Sequence, residues 1–438
     1  MRQARSFIVI TMVFLLVFAL AACGSGDNTG TTDKASGSDA QSSSEPITLT
    51  LQTPVTGQER VSDKIIADYQ AEHPNVTIKV DALDLGAHNV KLNTQAAAGA
   101  LSDIVVVNAG AAMQPYVDAG LLAPLDDILS KDGLKDTFLP LVLDGYKFND
   151  QQYALPMAYN LTALFYNKAL FEKIGAEVPK TFEELVEVSK KFKEAGILPI
   201  ALAEKEAWTG GLLFGSVLTR QNGGPGFIKD VLDGKRNFHD PDFVESIKKF
   251  EDLIKAGAFQ EGVTAVDYYT GLNQFLNGEA AMHINGTWIS AAFPTAKAIN
   301  DLRVTEFPTV NGKGQITDFS AGPGIALAVS SKGKHTEQAK DFVHYYMKHF
   351  PGVSLDMDNA IGIAQRIDGD LKAKGYSELN IQIQELFTKI KRVEPVDANL
   401  NAATSESHNK TLQNLFVDPD VKPEDVAKEY QDAYEANK

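Results

Sequence analysis

From residue 47 onward, short apolar runs alternate with longer segments whose apolar residues recur every three to four positions. That is the pattern of strands covered by amphipathic helices, and it predicts an α/β fold with largely parallel sheets. Ile47-Thr48-Leu49-Thr50-Leu51 alternates as a half-buried strand, and Val61 to His73 has helical spacing that stops before Pro74. Val76 to Val80 alternates again, so the three segments read as one β-α-β unit. Ile104 to Val107 is continuously apolar and β-branched, the mark of a central strand buried on both faces. Thr181 and Glu184 form a capping box before Phe182, Leu185, Val188 and Phe192, and Gly196 supplies the helix stop. A further helix starts at Thr336, with Ala339, Phe342, Val343, Tyr346 and Met347 on one face, and Ile325 to Val329 is its partner strand.

The chain has 438 residues, 44% of them hydrophobic, enough for a sizeable core and two or three domains. No internal repeat and no linker-like stretch interrupts residues 47–438, so two lobes, if present, are interwoven rather than sequential. A formal net charge of −16 repels nucleic acid, which is excluded as a partner. The single Cys rules out an internal disulfide framework and a thiolate cluster.

That Cys lies at the end of a targeting segment. Arg2 and Arg5 precede the apolar run Phe7 to Ala19, the layout of a secretory signal over residues 1–22. Leu20-Ala21-Ala22-Cys23 resembles a bacterial lipobox, which implies cleavage before Cys23 and acyl chains, palmitate among them, on that residue. Residues 23–46 then read as the lipidated Cys and a flexible tether, since Gly24 to Glu45 is almost wholly small and polar. Its 22 residues span about 25 Å. The expected location is the extracytoplasmic face of the cell membrane, held there by lipid.

Several consecutive segments resemble the sugar-type extracellular solute-binding proteins of ATP-driven importers. The carrying motifs are Ala98 to Val105, Tyr116 to Leu125, Tyr153-Ala154-Leu155-Pro156, Leu164 to Lys168, Pro179 to Leu185, Phe275 to Met282 and Ile284-Asn285-Gly286-Thr287-Trp288. Each is weak alone; their order over more than 300 residues carries the resemblance. It implies two interwoven α/β lobes of the type II periplasmic-binding-protein kind, joined by hinge crossovers at Pro156 to Asn160, at Phe319 to Gly324 and near residue 370. One lobe would combine 47–158 with 322–370, the other 159–321 with 371–438. The partners implied are a carbohydrate ligand and the transmembrane permease subunits of an ABC importer, with a monomer as the default.

A carbohydrate site needs aromatic faces for C–H surfaces and amide or carboxylate groups for hydroxyls. Trp288 stands where the family places a cleft aromatic, Asn285 just before it is a candidate polar ligand contact, and Trp208 lies in a Gly-flanked stretch that reads as a site loop. Gln58 and Glu59 follow the first strand at its carboxyl end, and Asn108 follows the central one, where open α/β sheets hold ligands. Glu59 equally suits a helix N-terminus. Tyr159 and Asn160 sit at a crossover; Ser320 sits at another; Asp397 and Asn399 precede a late helix, where an N-cap role competes. Val107 and Asn108 stand where the family often has an aromatic, so the implied aromatic clamp is one-sided.

Catalytic templates fail: there is no G-x-S-x-G, no phosphate-binding Gly loop and no H-E-x-x-H. His344 and His349 fall on different helix faces, so neither a metal nor any cofactor is expected. Carboxylate pairs such as Glu204 with Glu206 recur by chance in a chain with 57 acidic residues. The expectation is a binding protein and not an enzyme. Two rivals stand beside it: a surface glycoside hydrolase or lyase, and a same-fold receptor for a polyamine, metal chelate or phosphate ester.

Overall fold

The alternating and continuous apolar runs at the start of the chain become a parallel three-strand set in the computed structural model, which describes residues 45–139, 142–394 and 400–437. Cys23, the lipobox and the tether as far as residue 44 lie outside these residues, as do Asp397 and Asn399. Strand β1 (Ile47–Pro54) pairs in parallel with β2 (Val76–Leu83), Ile47 opposite Val76 through Pro54 opposite Leu83, and with β3 (Ile104–Asn108) on its other side. Helix α1 (Glu59–Glu72) makes the crossover between β1 and β2, and α2 (Leu85–Ala97) that between β2 and β3. Ile104 to Val107 are buried because the sheet is covered on both faces: Ile104 and Val106 join one core, Val105 and Val107 another.

A second sheet follows. Its strands are β5 (Tyr159–Asn167), β6 (Leu198–Ile200), β7 (Ala280–Gly286), β8 (Leu302–Thr305), β9 (Asp318–Pro323) and β11 (Arg392–Glu394). They run in the order β11-β9-β5-β7-β6, with β8 also on β5. The first sheet is completed by β4 (Ala154–Pro156) and β10 (Ile325–Val329), in the order β2-β1-β3-β10-β4. The chain therefore leaves one sheet at Met157-Ala158 and returns to it at Gly324, and the two α/β lobes are interwoven. The crossings are bonded to each other: Met157 N–H donates to Ile325 O at 2.9 Å, and Gly324 N–H to Ala158 O at 2.8 Å. A third run joins them, Tyr159 N–H donating to Gly362 O at 2.8 Å and Ala364 N–H to Met157 O at 3.0 Å. Around this run Ala360 and Ile361 belong to the core of the second sheet, Ile363 and Ala364 to that of the first, and Ile367 packs on both.

The capping box forms as its spacing requires: Thr181 Oγ1 accepts from Glu184 N at 3.2 Å, and Glu184 accepts from Thr181 N at 3.1 Å, starting α3 (Phe182–Glu194). The remaining helices that matter for the site are α4 (Trp208–Gln221), α5 (Pro241–Lys255), α6 (Tyr268–Leu276), α7 (Thr336–Asp356), α8 (Glu378–Lys389) and α9 (Ala402–Leu415). Among the described residues no helix is long and apolar enough to cross a membrane.

Candidate functional site

Three aromatic rings converge at the carboxyl end of β7 and the start of α4. Trp208 lies 5.1 Å from Tyr268 and 6.1 Å from Trp288 between ring centroids, and Trp288 Nε1–H donates to the Tyr268 hydroxyl at 2.8 Å. Both indoles are half-buried. All three rings come from segments attached to the second sheet.

Each ring is placed by local chemistry. The indole of Trp288 folds back over Gly286, where an added Cβ would fall inside the ring, so the glycine is required for space rather than for its backbone angle. Gly286→Ala is expected to push the indole aside and shift tryptophan emission. An unchanged spectrum would overturn this. Tyr268 opens α6, which Asp267 caps by accepting from Thr270 N at 3.0 Å. Burial pushes the Tyr268 hydroxyl up to about 12, so it stays protonated and can accept from Trp288 while donating elsewhere.

Asn285 is not a free ligand group. It is buried, its Oδ1 accepts from Gly286 N at 2.8 Å, and its Nδ2 meets His283 Nε2 at 2.8 Å. With His283 Nδ1 on Ala201 O at 2.8 Å and burial holding that imidazole down at about 4, the ring is neutral, carries its proton on Nδ1 and accepts from the amide. Asn285 therefore braces the end of β7.

Trp208 corrects the expected loop. It is the first residue of α4, and Gly210 and Gly211 lie inside the helix, where a Cβ would come within 2.9 Å of Glu204 Oε2 and 2.6 Å of Asn409 Oδ1 respectively. The glycines admit neighbours instead of loosening the chain. Ala207, at φ 63, takes the left-handed conformation that turns the chain into Trp208. Glu204, set aside in the sequence as a chance carboxylate, is fully buried under this helix start. Its Oε1 accepts from Thr209 Oγ1 at 2.5 Å and from Gly210 N, and its Oε2 has no partner. Burial raises its pKa to about 7, against the hydrogen bonds that lower it.

Across from these groups, the loop after β1 touches the segment that begins with Trp288. A Cβ on Gly57 would lie 2.6 Å from Ala291 Cβ, and Asn359 Nδ2 donates to Gly57 O at 3.1 Å. Gln58 stands in this loop with a buried, unpartnered Oε1. Glu59 folds onto its own loop, its Oε1 accepting from Thr56 N at 2.6 Å and Gly57 N at 3.0 Å. Asn108 ends β3 and is exposed. Tyr159 is buried in the core beside Phe387, ring centroids 6.0 Å apart, and packs the hinge. Asn160 fits the hinge: a Cβ on Gly324 would overlap its Nδ2. Ser320 lines an apolar cavity under α4 and α9 with Phe238, His408 and Tyr430, away from the indole pair. The N-cap of α9 is Asn401, which accepts from Thr404 N at 2.8 Å.

Tyr268 and Glu204 are the residues that sequence reasoning missed. Tyr268 shares helical spacing with Leu272 and Phe275 and so reads as core. Among the described residues no cluster of His, Cys, Asp and Glu is placed to hold a metal.

A family model described as bacterial extracellular solute-binding protein matches residues 55–349. The chain belongs to that family. It is 26% identical over 313 residues to a multiple sugar-binding protein of Streptococcus mutans, covering 70% of this chain and 72% of that one. It is 28% identical to a maltotriose-binding protein of Pyrococcus abyssi, over 51% of this chain and 46% of that one. Among solved structures, one from work on xylan utilization by Caldanaerobius polysaccharolyticus superposes with a TM-score of 0.82 at 30% identity, covering 88% of this chain and 99% of that one. A chitin oligosaccharide binding protein superposes at 0.80 with 25% identity, over 90% and 99%. The two-lobe solute-binding fold is thus established for this chain.

Proposed function

We propose that this solute-binding protein captures a carbohydrate between its lobes and delivers it to the permease of an ABC importer. The observation that carries the reading is the Trp208–Tyr268–Trp288 cluster, half-buried beside a loop of the opposite lobe, with Gly286 cleared for one indole. Ring faces of this kind cover the C–H surfaces of a pyranose, and the names of the similar proteins point the same way. The proposed ligand groups are Trp208, Trp288, Tyr268 and Gln58, with Asn108 kept for its place at the end of the central strand, Asp397 and Asn399 retained from the resemblance, and Asn160 at the hinge. The lobes are taken as 47–158 with 322–370 and 159–321 with 371–438; β9 crosses that bound, since its last residues, Gly322 and Pro323, pair with Asn160 and Tyr159 of the second sheet. Closure of the lobes over the sugar is the state the permease would read. Residues 1–22 are proposed as a signal, Cys23 as the lipid anchor, and the receptor as a monomer on the extracytoplasmic face.

No reaction is assigned. Glu204 has the raised pKa that a glycosidase acid needs, but it is fully buried and locked against Gly210. The test is a titration of tryptophan emission with mono- and oligosaccharides, polyamines and phosphate esters. A saturable response to one glycan class, weakened at least tenfold in Trp288→Ala and leaving the glycan intact, is expected. A response only to a non-sugar, or consumption of the glycan, would overturn it.

A further inference from the structure

Tyr269 stands out by its exposure. At 63% it is the one Phe, Tyr or Trp among the described residues that is largely open to solvent. Packing of its own helix does not account for it, since α6 buries Gly271, Leu272, Phe275 and Leu276, and Asp267 already caps the first turn. Its ring meets that of Tyr268 edge to face, centroids 5.3 Å apart at 74°. Tyr268 in turn touches Trp208 and holds the Trp288 indole. Four rings thus run in unbroken contact from the half-buried indole pair out to solvent. The chain beside them is polar: Glu206 accepts from Tyr268 N at 3.1 Å, and Lys205 is exposed.

A free monosaccharide needs only the inner rings, because one pyranose ring is covered by one or two aromatic faces. An aromatic face kept in water at the end of the series serves a ligand that leaves the cleft. Resting on the reading of the cluster as a sugar site, we propose that Tyr269 forms an outer subsite and that the ligand is a neutral oligosaccharide whose further residues lie along Tyr269. The hydroxyl and the neighbouring polar side chains suit such a chain, since each sugar unit offers both an apolar face and hydroxyls.

The experiment compares wild type and Tyr269→Ala against length ladders of xylo-, chito- and malto-oligosaccharides, from the monosaccharide to the hexasaccharide, read by tryptophan emission and calorimetry. For whichever ladder binds, wild-type affinity is expected to rise with length. Tyr269→Ala should remove about tenfold from the longer members and less than twofold from the shortest. Tyr269→Phe should keep the gain, because the ring face is retained. Equal affinities of wild type and Tyr269→Ala at every length would overturn the subsite, as would an equal loss at every length. If no ladder moves the wild-type signal at all, the carbohydrate reading itself fails, a result distinct from either of these. Matching circular dichroism and melting curves show that the variant is folded, and the surface position of Tyr269 makes that the expected result.

Discussion

Replacing Arg220 by Leu is expected to destabilise the folded protein by about 4 kcal/mol, seen as a fall in the urea midpoint with an unchanged slope. Arg220 lies in the last turn of α4 and is 1% exposed. Its Nε and Nη2 donate to Phe307 O at 3.1 and 2.9 Å, and its Nη1 to Asp318 O at 2.5 Å and to Gln315 O. Burial holds the guanidinium down to about 10, so it stays charged at neutral pH, with Asp318 and Glu306 supporting the cation. The Asp318 carboxylate is taken bidentately by Arg392 at 2.8 and 2.7 Å. Leucine would fill part of the volume but take these donors from the carbonyls of Phe307 and Asp318, each costing about 1–3 kcal/mol, while Gln315 O keeps the Asp318 N–H at 3.0 Å. Lysine keeps the charge without the planar fork and is expected to recover less than half of the loss. A fall below about 1 kcal/mol for Arg220→Leu would show that water replaces the guanidinium.

The consequence of this clamp reaches the hinge. Asp318 starts β9, whose far end is the Gly324 crossing, so Arg220 ties the helix that carries Trp208 to the strand that carries the lobes' return connection. The helix that begins at Trp208 and the strand that runs to the Gly324 crossing are therefore fastened to each other through Arg220.

Local signals in the chain foretold local structure well. The Thr181 capping box and the β-branched run at Ile104 are satisfied within a few residues or by burial on both faces, so spacing alone identifies them. The pairing of β5 with β7, β8 and β9 joins residues more than a hundred positions apart, and no local signal in the chain gives it. At the site the two tryptophans were legible because family motifs surround Trp288 and few tryptophans exist to choose from. Gly210 and Gly211 misled because glycine inside a helix is locally unfavourable. Here the close approach of Glu204 and Asn409 overrides that preference. Asn285 misled in the opposite way, since a polar residue beside a cleft aromatic resembles a ligand group until its partner His283 is visible.

The other end of the same helix gives the second large effect, and it depends on pH. Glu204 has a folded-state pKa of about 7 against an ordinary 4.5, burial being the main cause. A raised carboxyl pKa means that the fold prefers the neutral acid. The stability from this preference is fully present below pH 4.5 and is lost as pH rises through 7, a total of about 3 kcal/mol. Glu204→Gln keeps the shape and cannot ionise. Its stability relative to wild type should therefore climb by about 3 kcal/mol between pH 4 and pH 8 and then level off. The difference between the two proteins is the quantity to measure, by urea unfolding at each pH. His283 and His408, both held at about 4 by burial, weaken either protein as pH falls below their unfolded values, and the subtraction removes them. A flat difference across that range would mean that Glu204 ionises as freely in the fold as in the unfolded chain. A rising one would show that an acid is kept neutral beneath the first turn of α4. There Thr209 and Gly210 bind one of its oxygens, and the helix start is held where Trp208 must stand.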